Sequence, residues 1–255
     1  GCKVNAYETE AMQQLLEKAG YEIVPFAPGA EVYVINTCTV TNMADRKSRQ
    51  MLHKAKKMNP DANVIAAGCY VQTDEGKLDK DEAVDLILGN NQKGNIVQVL
   101  EEYEQQHTKQ KHVLKINQTK EYEELAIDHT AEHVRAYIKV QDGCNQFCTY
   151  CIIPKIRGNY RSVPMDTLFE QAKQLAVQGV RELILVAQET TIYGTAHYGK
   201  KSLHLLLKEL CKIPGIVWIR VLYCYPEEIY PELIETIRDE KKNLSLSGSA
   251  NPARQ

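Results

Sequence analysis

Read along the chain, apolar and polar positions alternate between two periods. From Glu8 to Ala19, Met12, Leu15, Leu16 and Ala19 fall at helical spacing, and Gly20 closes the run. Val32 to Ile35 is a short apolar strand, residues 63–67 a second and 84–88 a third, ended by Gly89. Between the first two, residues 44–58 read as a basic helix ended by Asn59-Pro60. From Val134 the alternation resumes. Strands are predicted at 134–140, 182–187 and 216–223, and helices at 165–178, 203–210 and 231–239. The stretch from Glu182 to Ala187 is apolar throughout after its first residue, which marks a parallel strand covered on both faces. Strands alternating with helices predict an α/β chain with mostly parallel sheets. Residues 1–115 form an open parallel domain in this reading, and 133–242 an incomplete (β/α) barrel.

Between the two series the pattern changes. Residues 101–133 are rich in Glu, Gln, Lys and His and poor in large apolar side chains, so a helix end followed by an exposed linker is expected over 116–132. Residues 243–255 have no apolar period and read as a tail outside the domains. The chain opens on Gly1-Cys2 without Met or a preceding strand, so it reads as a fragment lacking a first strand and part of its barrel.

Composition narrows the chemistry. The chain has 255 residues, 31 Lys+Arg against 33 Asp+Glu, and 44% hydrophobic residues. That balance excludes a disordered chain and gives no global charge that would select a nucleic acid or membrane. No stretch approaches the roughly 18 apolar residues of a membrane span, and no signal peptide opens the chain, so the reading is cytoplasmic. One local exception is helix 44–58. It carries Arg46, Lys47, Arg49, Lys54, Lys56 and Lys57 against Asp45 alone, enough to hold phosphates or simply to form a solvated face. Eight cysteines are many for a reducing compartment, where ligands or reactive thiols are commoner than disulfides.

Two sets of cysteines stand out. Cys144, Cys148 and Cys151 form C-x3-C-x2-C directly after a strand. Three thiolates so close can hold one metal centre with an open position. Structural zinc usually takes four ligands in paired spacings, and ferredoxin spacings supply four cysteines per cluster. An iron–sulfur cluster with one iron free of protein ligand fits best. Cys2, Cys38 and Cys69 are distant in sequence but share a context, since Cys38 and Cys69 each follow a predicted strand and Cys2 precedes a helix. The carboxyl ends of parallel strands share one edge, where ligands bind. The three thiols there are either a second cluster site or buried structural cysteines.

The neighbours of these cysteines carry a resemblance. Residues 1–10 (Gly-Cys-Lys-Val-Asn-Ala-Tyr-Glu-Thr-Glu), Asn36-Thr37-Cys38, Ala67-Gly68-Cys69 and the run from Asp142 to Pro154 resemble the radical S-adenosylmethionine (SAM) methylthiotransferases over about residues 1–242. The resemblance implies a radical-SAM [4Fe-4S] cluster on Cys144, Cys148 and Cys151. It implies an auxiliary [4Fe-4S] cluster on Cys2, Cys38 and Cys69. It further implies SAM both as methyl donor and as radical source, and insertion of sulfur at an unactivated C–H bond. Such a bond has no acidic proton, which puts it beyond acid–base catalysis and within reach of a cofactor radical. Tyr150 resembles the residue packed near the adenine of SAM. Gln188 and Glu189, following the second barrel strand, are placed either to contact SAM or simply to cap their loop, and Arg157 to pair with a carboxylate or phosphate. Cys211 and Cys224 are expected to be structural.

The resemblance divides over the substrate. Residues 1–154 resemble the branch acting on threonylcarbamoyladenosine beside the tRNA anticodon, and residues 155–242 the branch acting on an aspartate of a small-subunit ribosomal protein. A composite of two related genes is therefore expected, with a frameshift near Lys242, and weak or no turnover of the isolated chain. The tRNA anticodon loop is the first expected partner and the ribosomal protein the second. An electron donor such as flavodoxin or ferredoxin is implied, and no membrane. Two readings of other classes are an iron–sulfur electron carrier and a zinc-stabilised nucleic-acid module.

Overall fold

A computed structural model describes residues 2–123, 125–130 and 134–248. The chain divides into two compact units. Unit 1 comprises Gly1–Thr119, Glu123–Leu125 and Cys148–Gly158, and unit 2 comprises Lys120–Tyr122, Ala126–Phe147 and Asn159–Gln255.

Unit 1 runs α1 (Lys3–Lys18), β1 (Val32–Thr37), α2 (Asn42–Met58), β2 (Asn63–Gly68), α3 (Cys69–Asp79), β3 (Leu86–Leu88), α4 (Ile96–Gln106) and β4 (Gln110–His112), and takes in α5 (Ile153–Arg157). Its sheet has the order β1-β2-β3-β4, parallel throughout. Successive β2 side chains point to opposite faces. Val64 and Ala66 pack with Leu52, Ala55, Val71 and Leu78 of α2 and α3. Ile65 and Ala67 pack with Met12, Leu16, Val99 and Leu100 of α1 and α4. Covering both faces explains why β2 reads as an unbroken apolar run.

Unit 2 contains β5 (Arg135–Lys139), β6 (Gln141–Asp142), β7 (Arg161–Ser162), α6 (Met165–Val177), β8 (Glu182–Val186), α7 (Thr195–Tyr198), α8 (Leu203–Cys211), β9 (Trp218–Cys224), α9 (Pro231–Asp239) and β10 (Asn243–Gly248). Four strands pair in parallel in the order β10-β9-β8-β5, and β6 and β7 form a short antiparallel pair. Leu168, Ala172 and Leu175 of α6, Leu206 and Leu210 of α8 and Leu233 of α9 close one core with Ala136, Ile138, Leu183, Leu185, Ile219 and Val221. This is a parallel α/β arrangement, as the alternation predicts.

Two expectations need correction. The 116–132 segment is not a plain exposed linker, for Ile116, Leu125 and Ile127 are all buried. Single apolar residues in a polar stretch leave no period to read, yet each is enclosed by the fold. Leu125 also accepts a hydrogen bond at its carbonyl from the Tyr7 hydroxyl at 2.8 Å. The 243–255 segment is likewise a strand at its start, not a tail outside the domains. Residues 243–248 pair with β9, and Leu244 and Leu246 pack against the core of unit 2. The Leu-Ser-Leu alternation is the period-2 signal of a half-covered strand. Residues 124 and 131–132 of the expected linker, and 249–255 of the tail, lie outside the described residues. β4 escapes the periodicity because Gln110-Lys111-His112 has no apolar residue, its pairing with β3 being made by the backbone alone.

Leu185 is fully buried in β8, an interior strand of the unit 2 sheet. Leu185→Ala is expected to cost about 2–5 kcal/mol through lost burial and a cavity, read as a lowered midpoint in chemical denaturation.

Candidate functional site

Parallel pairing brings Cys38 and Cys69 to one edge. Thr37 pairs with Gly68, so Cys38 and Cys69 follow neighbouring strand ends. Gly68 sits at φ +93°, and a Cβ there would stand 2.5 Å from Asn36 Oδ1 and 2.8 Å from the Thr37 carbonyl, so the turn into Cys69 requires glycine. Thr37 Oγ1 donates to the Ala67 carbonyl at 2.5 Å and accepts from the Tyr70 amide. The Asn5 side chain donates to the Thr37 carbonyl at 3.2 Å, which fixes the start of α1 over the same edge.

Two of the three thiols meet a helix start. Cys2 is the N-cap of α1, its Sγ accepting from the Asn5 amide at 3.4 Å. Cys69 is the first residue of α3. Cys38 precedes α2, held through its amide and carbonyl by the Ser48 hydroxyl. Helix N-termini favour negative charge. Burial pushes the Cys2 thiol up, while the Arg157 guanidinium pulls it down, and the charge of Cys69 is close enough to add to the rise.

Around Cys69 lies a buried polar group that periodicity alone does not reveal. Arg157 pairs through both terminal nitrogens with the Glu8 carboxylate, the Nη2–Oε2 bond being 2.9 Å. Its Nη2 also donates to Cys69 Sγ at 3.4 Å. Lys93 Nζ donates to Glu8 Oε2 at 2.5 Å and to Asn90 Oδ1 at 2.9 Å. Asn90 Nδ2 donates to the Ile156 carbonyl at 2.7 Å and reaches Cys69 Sγ at 3.8 Å. Glu8, Asn90, Lys93 and Arg157 are all at most 1% exposed. Arg157, expected among the cofactor-binding residues, is taken up by the carboxylate of Glu8 beside Cys69. Asn90 follows β3 at the carboxyl edge, so reading every strand end for polar residues would have found it.

Cys148 and Cys151 belong to unit 1 and Cys144 to unit 2. The Cys151 amide donates to the Cys148 carbonyl at 2.9 Å in a tight turn, and α5 follows at once. Tyr150 in this turn is 53% exposed. In unit 2, Cys144 Sγ lies 3.8 Å from the Tyr160 hydroxyl, and burial, with that thiol, pushes the Tyr160 phenol up. At the end of β8, Gln188 Oε1 is buried without a hydrogen-bond partner. Glu189 Oε1 accepts from the Thr191 amide at 2.7 Å, and burial raises its carboxyl. Cys211 and Cys224 stand apart in the core of unit 2, and burial pushes each thiol up to about 11.

The donor sets suit iron–sulfur chemistry. Thiolates are soft ligands that select zinc or iron–sulfur centres, and helix starts with an Arg N–H on sulfur favour an anionic group. Among the described residues, no three of the His, Cys, Asp and Glu side chains close around a single ion. The Cys2, Cys38 and Cys69 thiols share an edge without converging on a point.

Comparisons with known proteins give two matches along the chain. Residues 1–89 match the model of the uncharacterized protein family UPF0004, and residues 138–250 that of the Radical SAM superfamily. The second match runs past Lys242 and includes β10. Matched in this way, the chain is similar to the radical SAM methylthiotransferases. It is 40% identical over 257 residues to the threonylcarbamoyladenosine tRNA methylthiotransferase MtaB of Aquifex aeolicus, covering 98% of this chain and 62% of that protein. It is 42% identical over 247 residues to the ribosomal protein uS12 methylthiotransferase RimO of Clostridium botulinum, covering 95% of this chain and 55% of that protein. The chain thus spans little more than half the length of these relatives. Both alignments run through the cysteine loop. The fold is similar to a radical S-adenosylmethionine methyltransferase, TsrM, of Kitasatospora setae, with a TM-score of 0.64 at 13% identity over 95% of this chain and 56% of that one. No helix among the described residues is long and apolar enough to cross a membrane.

Because Glu189 binds its proton more tightly when folded, its contribution to stability is full below the unfolded carboxyl pKa of about 4.3. That contribution is lost as pH rises through the raised folded value. Glu189→Gln is expected to flatten this part of the profile, seen by comparing denaturation midpoints of the two proteins from pH 4 to pH 7.

Proposed function

We propose that the chain is the cluster-bearing part of a methylthiotransferase that adds a methylthio group at an unactivated C–H of tRNA. The target would be C2 of N6-threonylcarbamoyladenosine at position 37. The observation that carries the reading is the set of three thiols at the carboxyl edge of unit 1, in a chain that also holds a second three-cysteine set. Cys2, Cys38 and Cys69 would hold the auxiliary [4Fe-4S] cluster, and Cys144, Cys148 and Cys151 the radical-SAM cluster. When bound, the clusters and SAM supply the radical, the sulfur and the methyl group. The protein binds and orients. Helix starts stabilise the negative charge of ligated thiolates. Gln188 Oε1, a buried acceptor in need of a donor, suits the SAM ammonium, and exposed Tyr150 suits the adenine.

The RNA substrate is favoured by α2. Arg46, Lys47 and Arg49 lie on the helix that follows Cys38, outside its buried face of Ser48, Leu52 and Ala55. Phosphates bound there would stand near the auxiliary centre. Lys56 is taken up by Asp85 at 2.9 Å and does not belong to this face. A ribosomal-protein aspartate is the second reading, supported by the 42% identity to RimO. A cytoplasmic location and an external electron donor go with either.

Anaerobic reconstitution is expected to load about eight irons per chain, two four-iron clusters, and to support SAM cleavage with dithionite. Cys144→Ala should abolish cleavage while auxiliary iron remains, and Cys38→Ala should do the reverse. Iron without SAM cleavage would favour an electron carrier, and zinc without colour a zinc module. Mass spectrometry of tRNA nucleosides and of the ribosomal protein from a deletion strain decides the substrate.

For RNA binding, the triple change of Arg46, Lys47 and Arg49 to Ala is expected to weaken tRNA affinity and to lower the salt slope by about 0.7–0.9 for each phosphate no longer neutralised. An unchanged slope in filter binding across salt would remove α2 from the interface.

A further inference from the structure

We infer that Arg157 is a positioning residue of the auxiliary centre, holding Cys69 and raising the reduction potential of the cluster that the thiol ligates. The inference rests on the proposal of an auxiliary cluster and assigns that cluster a partner from a distant part of the sequence.

The geometry is specific. Nη2 of Arg157 lies 3.4 Å from Cys69 Sγ in hydrogen-bond geometry. Arg157 is 1% exposed, so solvent does not screen the contact. Its planar fork is fixed by Glu8, which takes both terminal nitrogens, and Glu8 is in turn fixed by Lys93. The backbone under Arg157 is held as well, for Asn90 Nδ2 bonds the carbonyl of the preceding Ile156. The same amide reaches Cys69 Sγ at 3.8 Å, so the sulfur receives two N–H groups from one connected network. A guanidinium stays charged across the biological pH range and offers directed N–H groups, which an ammonium does not match in geometry.

Hydrogen bonds to cluster sulfurs and nearby positive charge stabilise the reduced, more negative cluster. Arg157 supplies both at Cys69. Its position six residues after Cys151 gives the arrangement a second consequence. The α5 segment that follows the radical-SAM cysteine loop is anchored inside unit 1 by a side chain that touches an auxiliary ligand.

The test uses the full chain with Cys144, Cys148 and Cys151 changed to Ala, so that only auxiliary iron loads. Dye-mediated titration followed by electron paramagnetic resonance reads the potential. Arg157→Gln is expected to make the cluster at least tenfold harder to reduce, a shift of about 59 mV or more for one electron. Arg157→Lys keeps charge but not the fork, and a smaller shift in the same direction is expected. Arg220→Gln, which breaks a pair with Glu182 in unit 2, should leave the potential unmoved. If Arg157→Gln fails to fold by circular dichroism, Arg157→Lys carries the decision. An unchanged potential in the folded Arg157 variants, or an equal shift in Arg220→Gln, overturns the inference. Failure of the parent chain to load any iron would instead overturn the auxiliary-cluster reading itself.

Discussion

The pairing of Glu8 with Arg157 is the interaction on which the site in unit 1 depends. Glu8 lies on the first helix and Arg157 on a short helix 149 positions later. Desolvating such charges costs several kcal/mol per ion, and only good geometry with further hydrogen bonds offsets it. Both ions have that company, from Lys93 and from Cys69 Sγ. A buried pair of this kind is weak support for stability in itself. Its effect is positional, since Arg157 has one place to go and the Cys148–Gly158 segment goes with it.

The parallel sheet supplies the other constraint. Strand carboxyl ends and helix amino ends meet on one edge, so that whatever follows a strand is presented together with backbone N–H groups. Cys38, Cys69 and Asn90 occupy the first positions after β1, β2 and β3 or nearly so. Cys2 reaches the same edge because the Asn5 side-chain amide donates a hydrogen bond to the Thr37 carbonyl at the end of β1. Four residues scattered over ninety positions thereby become neighbours. The chemistry then follows from residue type, with soft sulfur at the edge and polar groups behind it.

Much of this is legible in the sequence, for physical reasons. Covered strands such as Val64–Ala67 and Leu183–Val186 carry unbroken apolar runs, and α6 and α8 carry a clean helical stripe. The strand-then-cysteine context puts Cys38 and Cys69 at neighbouring strand ends, where the structure also has them. What the sequence conceals depends on partners rather than on local pattern. β4 pairs through its backbone with no apolar side chain, and Leu125 and Ile127 are single plugs in a polar stretch. Glu8, Asn90 and Lys93 look like ordinary surface residues until the fold encloses them. Arg157 stands out for its charge, but nothing local says that its partner is Glu8.

The central claim is that Glu8 and Arg157 act as a unit. A double-mutant cycle with Glu8→Gln and Arg157→Gln, read by denaturant unfolding, measures this directly. A coupling of about 1–3 kcal/mol is predicted, with the double variant less damaged than the sum of the singles. Additivity within about 0.5 kcal/mol would contradict it.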